Sequence, residues 1–150
     1  MLRLSFPREY PFEIRSLDGR PSIYDPIRRR FVPLTPEEWV RQNLVQHLIQ
    51  DLGCPAGLTA VERYLEFHGK PFRADVVVHD RTGAAVLLAE CKEPGVRIGP
   101  ETFDQLTAYN RVLRARYLLV TNGLDHYCCA LDLERQTHRL LDRLPRYEDL

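Results

Sequence analysis

The chain has 150 residues, 44% of them hydrophobic and 28% charged, the size and balance of one soluble globular domain around a single core. Its 21 basic residues meet 21 acidic ones; a zero net charge counts against a stand-alone duplex-binding module, whose affinity rests on neutralising phosphates. No apolar run approaches the ~20 residues of a membrane span, and residues 1–10 alternate apolar and charged, unlike a signal peptide, so a cytoplasmic protein without a membrane partner is expected.

In chain order, residues 11–25 read as two short strands around Leu17-Asp18-Gly19-Arg20, since Asp-Gly is a strong hairpin signal. Arg28, Arg29 and Arg30 follow, either a solvated basic run or a phosphate contact. A helix begins at Thr35-Pro36-Glu37-Glu38, with Thr35 as N-cap, Pro36 in the first helical position and Glu38 placed as in a capping box. Val40, Leu44, Leu48 and Leu52 keep its apolar stripe, widened by Val45 and Ile49, and Gly53 supplies the stop. Arg41 and Gln42 line an acidic site or lie on the helix's exposed side. A meander follows: Leu65-Glu66-Phe67, a turn at residues 68–71, a strand over 74–78, a turn at 80–83 and a strand over 84–91. A second helix covers residues 100–114, with Phe103, Leu106 and Leu113 on its buried side. A short apolar strand over 117–121 is closed by Asn122-Gly123, and residues 127–133 and 139–141 add two more. The order predicts an α/β (α+β) fold in which a central mixed sheet lies between helices. One domain over residues 1–150 is expected, residues 1–33 forming an N-terminal β-hairpin extension and 34–141 the core.

The four cysteines, Cys54, Cys91, Cys128 and Cys129, form no C-x-x-C pair and suit reduced thiols. A metal cluster of His126, Cys128, Cys129 and His138 is the alternative, though its spacing matches no usual zinc pattern. His47 and His126 read as structural.

The chemistry concentrates in residues 73–92. Asp75 opens one strand; the next, Ala85-Val86-Leu87-Leu88-Ala89-Glu90-Cys91-Lys92, is apolar until Glu90, as in a sheet covered on both faces. With a period of two, Glu90 and Lys92 point to one side and Cys91 to the other. An ion pair at the sheet rim accounts for Glu90 and Lys92 alone. Asp75 and Glu90 on neighbouring strands would converge, however, and two carboxylates repel unless a divalent cation lies between them. Oxygen ligands with open water positions suit Mg²⁺ or Mn²⁺ better than zinc. A lysine beside such an ion can orient a water or balance charge on a reacting phosphate.

Asp75 followed by Glu90-Cys91-Lys92 resembles the PD-(D/E)xK signature of restriction-endonuclease-like nucleases, with Ala74 where the usual proline stands. Further segments resemble the N-terminal nuclease domain of type I restriction enzyme R subunits. These are Asp25-Pro26-Ile27-Arg28-Arg29-Arg30-Phe31-Val32, Leu34 to Gln42, Phe103-Asp104-Gln105, Tyr109-Asn110, Val120-Thr121-Asn122-Gly123-Leu124 and His126-Tyr127-Cys128-Cys129, over about residues 22–135.

The resemblance implies a restriction-endonuclease-like fold and a metal-dependent DNA endonuclease in restriction, defence or repair. Asp75 and Glu90 would bind Mg²⁺ or Mn²⁺, with the Cys91 carbonyl as a third ligand, and Lys92 would help activate the water. A first-helix glutamate would complete the acidic site, Glu38 or in its place Glu37; the capping box is Glu38's other reading. Gln105 and Tyr109 resemble a Q-x-x-x-Y box, and being four apart they share a helix face. DNA, a second copy in a two-fold dimer and other restriction or defence subunits are the expected partners. A catalytically silent DNA-binding or subunit-interface module is the competing function. The chain lacks a G-x-x-x-x-G-K-[ST] loop and so carries no ATP-driven motor motif.

Overall fold

The computed structural model describes residues 1–150. Asp18 and Gly19 both take positive φ, 52° and 75°, and close the hairpin between β1 (Ile14–Leu17) and β2 (Arg20–Asp25). A third strand, β3 (Arg30–Pro33), pairs antiparallel with β2 where the sequence promised only two. The Asp25 carboxylate makes the connection by accepting from the backbone N–H groups of Ile27 and Arg28 at 2.7 and 3.1 Å, an Asx turn that sends the basic run back into the sheet.

Helix α1 (Pro36–Gln46) starts as its sequence dictates, with the Thr35 hydroxyl accepting from the Glu38 N–H at 3.1 Å. The other half of the capping box is not made. The Thr35 N–H donates to the Pro33 carbonyl, and the Glu38 carboxylate is taken by two guanidinium groups, Arg28 and Arg41, which outbid a neutral amide. The helix also does not run on to Leu52 as a regular α-helix: His47–Asp51 form a wider π-type turn. There His47 Nδ1 lies 2.8 Å from Asp51, which also accepts from the Tyr10 hydroxyl.

Strands β4 (Thr59–Phe67), β5 (Lys70–His79) and β6 (Ala85–Cys91) form the meander; β4 and β5 are longer than expected, which puts Asp75 in the middle of its strand and not at its opening, and β6 is one residue shorter. Helix α2 (Pro100–Leu113) carries the chain across to β7 (Tyr117–Thr121), and β8 (His126–Asp132) and β9 (Thr137–Leu141) complete the sheet. The spatial order follows the chain, β4-β5-β6-β7-β8-β9, and every pair is antiparallel except β6 with β7. A parallel pair needs a long crossover, which α2 supplies.

Alternation sorts the strands' side chains into two layers. Val76, Val78, Leu87, Ala89, Cys91, Leu119 and Cys128 pack with Val40, Leu44, Val45 and Leu48 of α1. Val77, Leu88, Leu118 and Val120 pack with Leu106 of α2. The mixed sheet therefore lies between helices as expected, and each fully buried Val or Leu contributes about 1.5–3 kcal/mol. Phe103 and Leu113 of α2 are only partly buried. No helix is long and apolar enough to cross a membrane.

Candidate functional site

Register places the acidic residues in one row. Val76 pairs with Ala89, and Asp75 and Glu90 are the next residues along their strands. Glu62 stands between Val61 and Arg63, which pair with Val76 and Ala74, so it lies opposite Asp75 on the other side. Glu62, Asp75 and Glu90 thus cross three adjacent strands. Glu62 takes a φ of 55° in the middle of β4, a left-handed conformation that costs a non-glycine residue on the order of 1–3 kcal/mol.

Asp75 is buried and doubly held: Oδ2 accepts from the Cys91 N–H at 2.8 Å and Oδ1 from Arg41 Nη2 at 2.7 Å. Lys92 Nζ is 3.1 Å from Glu90 Oε1, on the shared side that the period of two requires. Burial, and then the negative charge of Asp75, pushes the Glu90 carboxyl up to about 7, against the pull of Lys92. Burial alone would lower the Lys92 ammonium's pKa, but Glu90 outweighs it and the pKa is raised.

Arg41, which the sequence left between an acidic site and an exposed helix face, is buried within the acidic group. Its Nη2 contacts Asp75 at 2.7 Å, Glu62 at 2.9 Å and Glu37 at 3.0 Å, and its Nη1 contacts Glu38. Burial works against the guanidinium's charge, yet Asp75 and Glu38 together more than compensate, and its pKa rises above an already high value. Arg28 ties Glu38 to Asp25. Six carboxylates (Asp25, Glu37, Glu38, Glu62, Asp75 and Glu90) therefore meet three cations, Arg28, Arg41 and Lys92. A cleft of about 540 Å³ opens here, with Arg28, Arg30, Glu37, Glu38, Arg41 and Glu62 on its walls.

The two helix glutamates divide their roles. Glu38 is buried, with one oxygen on Arg28 and Gln42 and the other on Arg41. Glu37 has a half-exposed side chain, and burial followed by the charge of Asp75 raises its pKa. Glu37 is thus the one that senses Asp75. No three His, Cys, Asp or Glu side chains form a ready-made metal cage; Asp75 and Glu90 make a pair, and the His126, Cys128, Cys129, His138 cluster does not assemble. All four cysteines are buried free thiols.

Gln105 and Tyr109 share a face of α2 as expected, the amide donating to the phenol at 3.0 Å. Tyr109 stacks on Phe72 at 4.1 Å between centroids, and neither residue hydrogen-bonds Asp75, Glu90 or Lys92. A hollow of about 830 Å³ between α2 and β8–β9 also contains none of those three. His126 bonds the Ser5 carbonyl and the Thr121 hydroxyl, a structural role like that of His47.

Two members of the acidic group, Glu62 and Asp25, were missed as site residues from sequence. The signal for Glu62 was present: Thr59, Val61, Leu65 and Phe67 alternate with Ala60, Glu62, Tyr64 and Glu66, marking a strand beside that of Asp75.

Comparison with known proteins supplies a lineage for this arrangement. No curated protein sequence matches the chain. Among solved structures, the fold is similar to a fragment of a protein assigned as an HsdR subunit of a type I restriction enzyme from Vibrio vulnificus YJ016, with a TM-score of 0.57 and 20% identity. The match covers 78% of this chain but only 24% of that one, so the chain spans about a quarter of its relative's length. Residues 36–145, which carry α1, the whole six-stranded sheet and α2, match the family model for the type I restriction enzyme R protein N terminus. With nearly three quarters of its length inside that model, the chain belongs to the family of type I restriction enzyme R protein N-terminal regions.

Proposed function

We propose that the chain is a metal-dependent DNA endonuclease of the PD-(D/E)xK type, acting on phosphodiester bonds in restriction or a related defence or repair process. The observation that carries the reading is the convergence of Asp75, in the middle of β5, with Glu90 and Lys92 at the end of β6, the Glu90 carboxyl being pushed up to about 7 by burial and by Asp75. A carboxylate whose charge is costly until it is neutralised is suited to a hard divalent cation. The donor set fits: all side-chain ligands are oxygens, and carboxylates outnumber cations around them. Asp75 and Glu90 would hold Mg²⁺ or Mn²⁺, with the Cys91 carbonyl as the further ligand. Asp75 uses one lone pair on each oxygen for Arg41 and the Cys91 N–H, and keeps the others.

When bound, the cation would polarise a phosphoryl oxygen and acidify a water. The chain's own residues do the rest. Lys92 brings a positive charge and three donors to the edge of the pair, where it orients a water and balances charge developing on phosphate oxygens. Glu90 fixes the Lys92 ammonium. Arg41 holds Asp75 in place. Gln105 and Tyr109, bonded to each other on α2, would meet the substrate strand rather than the carboxylates. Exposed Arg29 and Arg30, at the turn and start of β3, offer phosphate contacts that the neutral net charge otherwise lacks. DNA, other restriction subunits and a two-fold pairing of copies belong to the same reading.

One observation favours a second reading, a silent subunit-interface or DNA-binding module: both Asp75 oxygens are already hydrogen-bonded and no three acidic side chains form a cage. Calorimetric titration of Mn²⁺ into the wild type and Glu90→Ala separates the two, followed by cleavage assays on duplex, single-stranded and branched DNA. Binding lost in the variant, with cleavage lost in Asp75→Ala and Lys92→Ala, supports the nuclease. Folded proteins that neither bind Mn²⁺ nor cut support the silent module.

A further inference from the structure

Asp75 sits in the middle of the row Glu62–Asp75–Glu90, with a cation position on each side. On the Glu90 side lies the proposed metal position beside Lys92. On the Glu62 side the chain has already installed a cation. Arg41 Nη2 lies 2.7 Å from Asp75, 2.9 Å from Glu62 and 3.0 Å from Glu37, three carboxylate oxygens around a nitrogen that carries only two N–H bonds. Geometry of this kind answers to charge more than to hydrogen-bond saturation. The same guanidinium leaves its buried Nε without a partner, so it is not placed to satisfy all its donors. Its side chain is 6% exposed, too enclosed to exchange freely with solvent ions or to reach a substrate. Glu62 reaches the arrangement with a strained left-handed backbone in mid-strand.

We propose that Arg41 is a built-in second cation: it fills the position that a second metal ion occupies in two-metal phosphodiester sites and restricts this chain to one divalent ion. Such paired ions sit about 3.5–4 Å apart and share a carboxylate between them, as Arg41 and the proposed metal share Asp75. Arg41 is thereby a positioning residue. It keeps Asp75, Glu62 and Glu37 gathered without metal and sets the number of ions that the site admits. The inference rests on the metal reading above.

The test is the stoichiometry of Mn²⁺ binding to the full chain, by calorimetry and by electron paramagnetic resonance, in wild type, Arg41→Lys and Arg41→Met. Wild type and Arg41→Lys should bind one ion with an isolated Mn²⁺ spectrum. Arg41→Met should bind two, with the broadened spectrum of a coupled pair, and adding Glu62→Gln should return it to one. Two ions in the wild type, or one in both the wild type and a folded Arg41→Met, would overturn the proposal. No ion in the wild type but one in Arg41→Met would remove the Asp75–Glu90 metal while keeping Arg41 as a cation substitute; none in either removes both. Should Arg41→Met not fold, Arg41→Gln, whose amide still donates to Asp75, is read by the same outcomes, and the wild-type stoichiometry needs no variant.

Discussion

Glu90→Gln should stabilise the protein, and only at neutral and alkaline pH. In the folded chain the Glu90 carboxyl is pushed from 4.5 up to about 7 by burial and by Asp75. Between those values the native state holds a proton that the unfolded chain has released. The raised pKa therefore contributes stability that is fully present below about pH 4.5 and lost as pH rises through 7. A shift of about 2.5 units at 1.36 kcal/mol each sets a ceiling of about 3 kcal/mol, shared by the Asp75–Glu90 pair rather than owned by one residue. The pull of Lys92, 3.1 Å away, is already contained in that shift, but the amide is an imperfect stand-in for the protonated carboxyl beside Asp75, so the expected net gain at pH 8 is about 1–2 kcal/mol. For a chain this long that is roughly 2–8 °C in Tm. Thermal melts in chelator from pH 4.5 to 8.5 should show wild type falling relative to the variant as pH rises, the curves meeting near pH 4.5. Saturating Mn²⁺ should close the gap at pH 8 by stabilising wild type alone. A variant less stable than wild type at every pH would refute the reasoning, since Glu90 would then be favourably charged.

On the proposed nuclease reading, in which Lys92 would orient the reacting water and not join the ligand set, Lys92→Ala should lower DNA cleavage by about 10²-fold or more while Mn²⁺ affinity changes far less; single-turnover cleavage beside calorimetry reads both. Gly123→Ala should cost more than about 1 kcal/mol, since φ is +84° and a Cβ there would meet Leu4 Cδ2 at 2.8 Å and Val40 Cγ2 at 3.0 Å; urea melts measure it. Asn110→Ala should cost about 2–3 kcal/mol in the same melts, because its amide both donates to and accepts from the Ala115 backbone at 2.9 Å, and both backbone groups would be left buried.

The acidic end of the molecule was legible where the strand pattern was strong. An uninterrupted apolar run fixed β6 as central, and the period of two then put Glu90 and Lys92 together. The Thr35 cap and the extent of α2 also followed from local chemistry. Arg41 was ambiguous for a physical reason: on α1 it occupies a position that a helical wheel allows to be either solvated or tucked under the N-terminal turn. Only the arrival of Glu62 and Asp75 from distant strands decides between them. Glu38 misled in the same way. Its capping-box position is real, but two guanidinium partners, Arg28 from before β3 and Arg41 one turn further along α1, override the bond to the cap. The third strand of the small sheet was hidden by the basic run, because Arg30 begins β3 and charge there says nothing about pairing.

The chain of ion pairs from Asp25 through Arg28, Glu38 and Arg41 to Asp75 joins the small sheet, the first helix and the large sheet. The Asp25–Arg28 and Glu38–Arg41 links are local, but those that join them, Arg28–Glu38 and Arg41–Asp75, bring three separate stretches together, and no one stretch holds the whole chain of pairs. Contacts that depend on distant strands are expected late in folding, after local turns and helices. Any hydrolytic power is consequently withheld from a half-made chain: a nascent polypeptide ending before β6 has neither Glu90 nor Lys92, nor the Cys91 amide that steadies Asp75. The order of synthesis thus delivers the full acidic group only once β6 has been made, two strands after β4 brings in Glu62.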